Sequence, residues 1–274
     1  MKLTKSVQVA AMVALCHLSV FMAHGQVIHA GLKAGANYSW LRFEDAAYRD
    51  KTSVTPVVGF NAGLAASFKM KERFFLHSEL IYSTKGRVTN GELGARDRVT
   101  YQYIELPLTY NIYFKGKLRA KNIKYFKWYA GIGPNFSYWL GAKGVLSNDE
   151  LREYGVEELP YKVKFGPRPE SDVGNSEVVY YSDVKRRQLG INIGGGILLE
   201  PINGNKIAFD VRFELGHTWL GTPVSSDFAV PVTYEDNLKA RNMGIRVSAM
   251  YMLEFNLDKK VRNKGKSTRK KSRL

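Results

Sequence analysis

Cysteine is almost absent from this 274-residue chain, with Cys16 the only example. It lies within an N-terminal apolar stretch, and Val13-Ala14-Leu15 before it lacks the small residue that a lipid-attachment site wants. A chain trimmed after that stretch carries no thiol, which excludes disulfide staples and thiolate chemistry. Long hydrophobic runs are missing beyond the N-terminus, and mean hydropathy is -0.27. Nothing there can serve as a membrane-spanning helix. Barrels stay open, because a barrel strand shows lipid only at every second residue.

Surplus charge is missing from the body of the chain, although the total is basic at 41 Lys+Arg against 25 Asp+Glu. Lys2 and Lys5 precede the apolar stretch, and nine more Lys/Arg crowd into 259–274 without an acid. That leaves 30 basic against 25 acidic residues over 26–258. Such a mild excess is a poor basis for nucleic-acid binding, and no nucleic acid is expected as a partner. Helical periodicity of useful length is lacking too.

What the chain does hold begins with a secretion signal over 1–25. Lys2 and Lys5 supply the positive start, Val7 to Ala23 is largely apolar, and Ala23-His24-Gly25 suits cleavage. A transmembrane anchor is the alternative, but Gln8 and His17 interrupt the run and no stop-transfer flank follows.

From residue 28 the dominant signal is period-two alternation in unusually long segments. In the first, Ile28, Ala30, Leu32, Ala34, Ala36, Tyr38 and Trp40 oppose His29, Gly31, Lys33, Gly35, Asn37 and Ser39. Similar segments centre on Val58–Met70, Phe74–Lys85, Tyr103–Phe114, 125–140, Gln188–Ile197, Ile207–Gly216 and Met243–Phe255. Eight is an even count, as a membrane barrel requires. The non-apolar face is rich in Gly, Asn and Ser with scattered charges, which suits a narrow polar lumen. On the apolar face aromatics such as Tyr38, Trp40, Phe74, Phe114, Trp128 and Phe255 favour strand ends, as at two bilayer interfaces.

Connections alternate long (42–54, 86–98, 141–186, 221–240) with short (71–73, 115–124, 201–206). Outer-membrane barrels have short periplasmic turns and longer outer loops, so both termini are expected in the periplasm. The fold class is therefore all-β: an eight-stranded antiparallel transmembrane β-barrel of outer-membrane type over 26–258. Loop 141–186 is expected as a long extracellular loop, and 259–274 as a basic disordered periplasmic tail.

The residues also resemble a known family. Gly31-Leu32-Lys33-Ala34-Gly35-Ala36-Asn37 and Glu79-Leu80-Ile81-Tyr82-Ser83-Thr84-Lys85-Gly86 are similar to opening strands of the PorT-like outer-membrane barrels of Bacteroidota. Tyr103-Ile104-Glu105-Leu106-Pro107-Leu108, Tyr129-Ala130-Gly131-Ile132-Gly133-Pro134, and Arg212-Phe213 followed by Gly216 match later strands in order. The resemblance implies an eight-stranded outer-membrane barrel. One named branch serves the type IX secretion machinery, whereas most members have no assigned activity. Loop 141–186 and the tail look larger than the family pattern.

The inner-face charges Lys33, Glu79, Lys85, Glu105, Asp210, Arg212, Glu214, Arg246 and Glu254 form the candidate site. A small barrel is filled by its own side chains, and charges taken from water need partners. A structural plug pairing Glu79 and Glu105 with Arg212 and Arg246 is the expectation. An ion path, or carboxylates in acid–base work, is the alternative. The glycines Gly190, Gly194, Gly195 and Gly196 lack the strand–turn–helix context of a nucleotide loop. Scattered histidines offer no metal spacing, so no catalytic residue, metal or cofactor is expected. A rim-sited lipid or peptide hydrolase has only His217 with Ser225, Ser226 and Asp227 to call on. Loop 141–186 carries seven Lys/Arg, nine Asp/Glu and several tyrosines, with Val178 to Ser182 a candidate extension of the sixth strand. It could contact an envelope or secretion-complex protein, or fold over as a cap; the tail could bind acidic partners or only be solvated. Outer-membrane lipid is the expected surrounding.

Overall fold

The structure, a computed structural model, describes residues 27–91, 94–116, 123–169, 178–201, 205–227 and 233–256. The proposed signal (1–25) and basic tail (259–274) lie outside the described residues. Twelve strands follow in order: β1 (Val27–Phe43), β2 (Ser53–Lys69), β3 (Phe74–Asn90), β4 (Arg96–Gly116), β5 (Ile123–Ser147), β6 (Leu159–Phe165), β7 (Val178–Tyr181), β8 (Arg187–Pro201), β9 (Lys206–Gly216), β10 (Val224–Asp227), β11 (Thr233–Asp236) and β12 (Ala240–Asn256). Two short helices, α1 (Ala46–Lys51) and α2 (Asp149–Glu153), sit in connections.

Eight of these strands close a ring, β1-β2-β3-β4-β5-β8-β9-β12, every neighbour antiparallel and β12 returning to β1. Closure leaves no edge in the ring. The alternation read from the sequence is the cause of the two-faced wall. On β1, Leu32 and Tyr38 are exposed while Lys33, Asn37 and Ser39 are buried. Leu64, Ile132, Phe213 and Val247 also stand outward and exposed, forming an apolar belt too extensive for a surface in water.

The strands outrun that belt. Crossing a bilayer takes roughly 9–11 tilted residues, whereas β4 has 21 and β5 has 25. On β4 the outward apolar residues stop at Ile104, and Thr100, Arg98 and Arg96 continue the same face beyond it. The surplus forms a collar at one end, which carries the connections β1–β2, β3–β4, β5–β8 and β9–β12 (the loop end). Both ends of the ring's chain and the remaining connections lie at the other (the turn end).

Three expectations about connections change. Residues 141–147 are strand, not loop, because the β4–β5 ladder continues to Arg96↔Ser147. The ladder passes from Gln102↔Gly141 to Tyr103↔Trp139, leaving Leu140 as an extra residue. A bulge of this kind reverses the in–out parity, so Trp139 and Ala142 both turn inward and strict alternation ends at 140. Val178 to Tyr181 does not extend the sixth ring strand; β7 pairs in parallel with β6, which pairs antiparallel with the top of β5. The 86–98 connection shrinks to 91–95, with Gly94 at φ +66°, a conformation glycine adopts without strain.

Candidate functional site

The interior is stacked in layers from the turn end to the loop end. Lowest is an apolar layer of Tyr113, Tyr129, Leu198, Met250 and Met252 around Ala65 and Ala208. Tyr113 lies 5.0 Å, centroid to centroid, from Tyr129 and 4.4 Å from Phe75.

Above it β1, β3 and β9 assemble the first ionic group. Lys33 Nζ donates to Glu79 Oε1 at 2.8 Å and lies 3.3 Å from Asp210 Oδ2. Arg212 is 2.8 Å from Glu79 and 2.7 Å from Asp210, and His77 Nε2 is 2.8 Å from Glu79. Gly194, across from Arg212 on β8, is explained here: a Cβ would meet the Arg212 side chain at 3.0 Å and collide with the Val211 carbonyl.

The second group uses β3, β4, β9 and β12. Arg246 is 2.5 Å from Glu105 and 3.2 Å from Glu214; Lys85 lies 2.6 Å from Glu105 and also pairs with Glu214. Ser83 donates to Glu105 at 2.5 Å, and Asn135 donates to both carboxylates. Arg212 and Arg246 are direct cross-strand partners, a pairing that repels in isolation. Each arginine instead turns into its own pair of carboxylates, so the repulsion is offset. Leaving His77 aside, each group sets two cations against two carboxylates.

Eight of the nine charges expected in the lumen thus meet in two groups, and each is buried. Glu254 does not join them. Its side chain is 44% exposed at the turn end, 3.4 Å from Lys206 and 3.5 Å from His29. The physical reason is position: it lies two residues from the end of β12, past the apolar layer that seals the lumen.

Toward the loop end the inner face becomes apolar again. Leu41, Phe43, Val99, Tyr101, Tyr103 and Trp139 point inward and meet Leu151, Leu159, Tyr161, Val179, Tyr181, Leu220 and Leu238 from the connections. The Asn148 side chain accepts from Leu151 N at 2.7 Å, capping α2 and seating the fully buried Leu151. A third ionic group stands inside this cap: Arg87 bonds Asp236 at 2.5 Å and Asp97 at 3.3 Å. Tyr181 and Tyr161 donate to those carboxylates at 2.7 and 2.8 Å. Nearby, burial pushes the Tyr48 hydroxyl pKa up, with Arg87 opposing. The sequence signal for this group was available in the inward parity of Arg87 and Asp97.

His217, the rim candidate, is exposed, and its backbone N–H donates to Leu189 O at 2.9 Å. The side chains of Ser225, Ser226 and Asp227 lie outside the described residues, so the triad has no geometry to examine. No cluster of His, Cys, Asp or Glu that could hold a metal occurs among the described residues.

Among solved structures the chain is similar to the outer membrane protein OprG of Pseudomonas aeruginosa, at 12% identity and a TM-score of 0.43, covering 85% of this chain and 96% of that one. It is similar to Ail, the attachment invasion locus protein of Yersinia pestis, at 10% identity and a TM-score of 0.34, covering 84% and 99%. A third is the outer membrane protease OmpT of Escherichia coli, at 9% identity and a TM-score of 0.29, covering 84% and 97%. No curated protein sequence matches. A family model described as "Outer membrane protein beta-barrel domain" matches residues 24–218, well over half of the chain. The chain therefore belongs to the outer-membrane β-barrel family, and it is an integral protein of the Gram-negative outer membrane.

Proposed function

We propose that this is a non-conducting, non-enzymatic barrel whose work is done by the cap at its loop end, as a docking component of a secretion or surface-assembly complex. The observation that carries the reading is the contrast between the two parts. The lumen is filled by paired charges between apolar layers, whereas the connections pack with the inner wall of the collar into a cap above them. A barrel of eight strands has room for little else. In this reading the loop end faces the cell exterior and both termini face the periplasm. The PorT-like motifs quoted above resemble a family of which one branch serves a secretion machinery, and the long β5–β8 connection supplies the surface that a partner would meet. A structural barrel without a dedicated complex is the competing reading.

Two measurements test it. In planar bilayers the purified barrel is expected to give no steady conductance, because no water path crosses two neutral ionic groups packed side chain to side chain. Sizeable unitary steps would overturn the filled-lumen reading. A photo-crosslinker at Tyr154, which is 57% exposed beside α2, is expected to capture one reproducible envelope protein in living cells. Repeated capture of nothing but lipid would sink the docking role.

A further inference from the structure

We propose that the outer wall of the collar, on β4, β5, β6 and β8, is a binding surface for the phosphorylated headgroup of an outer-leaflet glycolipid. The argument starts from parity. Arg98 on β4, Lys143 on β5, Lys162 on β6 and Arg187 on β8 all point outward and are exposed. The ladders place the first three together, with Arg187 lower on the same wall. Lys143 is the direct cross-strand partner of Lys162 and of Thr100, one inward–outward repeat from Arg98; Arg187 is the partner of Tyr138 on the same β5.

Like charges directly opposite on neighbouring strands repel, and natural sheets normally avoid them or supply a counter-ion. In the lumen the cross-strand pair Arg212 and Arg246 is answered by carboxylates. On the wall no carboxylate answers: among the described residues Arg98, Lys143, Lys162 and Arg187 have no ion pair. Glu158 lines a cleft of about 320 Å³ with Arg96, Arg98, Val145 and Ser147 at the top of the collar, without an ion pair to Arg98. An unanswered cationic pair suits an anion supplied from outside.

Height identifies the anion. Tyr138 and Leu140 are the last exposed apolar residues of β5 and mark the edge of the lipid belt. Lys143 stands three residues further, roughly 10 Å along the strand. Arg187 is level with Tyr138 itself. The cations therefore begin where hydrocarbon ends and headgroups begin, continuous with a surface already in contact with lipid. Basic side chains at that depth recognise phosphate groups of lipids, and arginine adds bidentate geometry.

The assignment of this wall to the outer leaflet rests on the loop end facing outward. Binding itself does not, so the two are tested apart. Purified full-length protein in detergent is titrated with lipopolysaccharide, with the same glycolipid after removal of its phosphates, and with inorganic phosphate. Wild type is expected to bind the intact glycolipid at least tenfold more tightly than the dephosphorylated one. The combined variant Arg98→Gln, Lys143→Gln, Lys162→Gln and Arg187→Gln is expected to lose at least tenfold, with its folded state checked by heat-modifiable gel mobility. Should that variant not fold, Lys143→Gln and Lys162→Gln singly are each expected to weaken binding about threefold. Equal binding by variant and wild type, or indifference to dephosphorylation, overturns the proposal. Full displacement by equimolar inorganic phosphate overturns the lipid as its source. Separately, Tyr154→Cys should react with an impermeant maleimide on intact cells. Failure there, with binding intact, overturns the outward orientation and leaves the phosphate preference standing.

Discussion

Arg246→Met is expected to destabilise the barrel by about 3–5 kcal/mol, the cost of removing one partner from a buried ionic group. Arg246 is fully enclosed, 2.5 Å from Glu105 and 3.2 Å from Glu214, and its Nε donates to Asn37 Oδ1 at 3.2 Å. Without it, two carboxylates share Lys85 alone. The penalty is mostly the charge left behind and not the bond removed, and that distinction is measurable. Combining Arg246→Met with Glu105→Gln restores the balance of one cation to one carboxylate. The double variant is therefore expected to be more stable than Arg246→Met alone, with coupling on the order of 1–3 kcal/mol. Urea unfolding of the protein refolded into lipid vesicles reads both numbers. A small effect from Arg246→Met, below about 1 kcal/mol, would mean that water reaches the group and that the lumen is not sealed.

The part of this fold most legible in the sequence is the ring. A barrel wall has one physical demand, lipid on one side and lumen on the other, and that demand writes itself residue by residue along β1, β9 and β12. The eight strands and their facing follow from parity, whereas their order around the ring is set by the antiparallel ladders. The pairing within the lumen is less legible, since parity places Glu79 and Arg212 on the same face but says nothing of height. Height depends on strand stagger, which comes from ladder register. That is why Glu254 looked equivalent to Glu214 yet sits at the open end, and why His77, two residues from Glu79, escaped notice as its partner.

The cap is the least legible part, for a different reason. Its core is built from residues whose inward parity was readable, such as Leu41, Phe43, Val99 and Tyr101. They contradict a uniformly polar lumen, and only the knowledge that the strands outrun the bilayer reconciles them. The bulge at Leu140 then hides the upper part of β5 by shifting the period by one. Loop 141–186 consequently read as irregular, although Leu159, Tyr161 and Val163 alternate cleanly with Pro160, Lys162 and Lys164.

If the cap is a body in its own right, Trp139→Ala should unfold it while the ring stays closed. Trp139 is fully buried, with ring centroids 5.3 Å from Tyr101, 5.0 Å from Phe165 and 6.1 Å from Tyr181, and its Nε1 donates to Gly141 O at 2.9 Å. It joins the inner wall of β5 to β6 and β7, so its loss removes the shared centre of three elements. Truncating a buried tryptophan costs about 3–5 kcal/mol, more than a cap of this size can hold in reserve above the ring. Hydrogen exchange is expected to rise sharply across β6 and β7, and trypsin to cut after Lys162, Lys164 or Arg168. Amides of β1, β9 and β12 at the two lower ionic groups should remain protected. Trp128→Ala is the matched control, because Trp128 stacks on Phe114 at 4.0 Å on the lipid-facing side near the turn end. It should leave exchange in the cap unchanged. Loss of protection throughout the ring in Trp139→Ala would show that cap and barrel fold as one cooperative unit, and a cap that moves independently to meet a partner would then be ruled out.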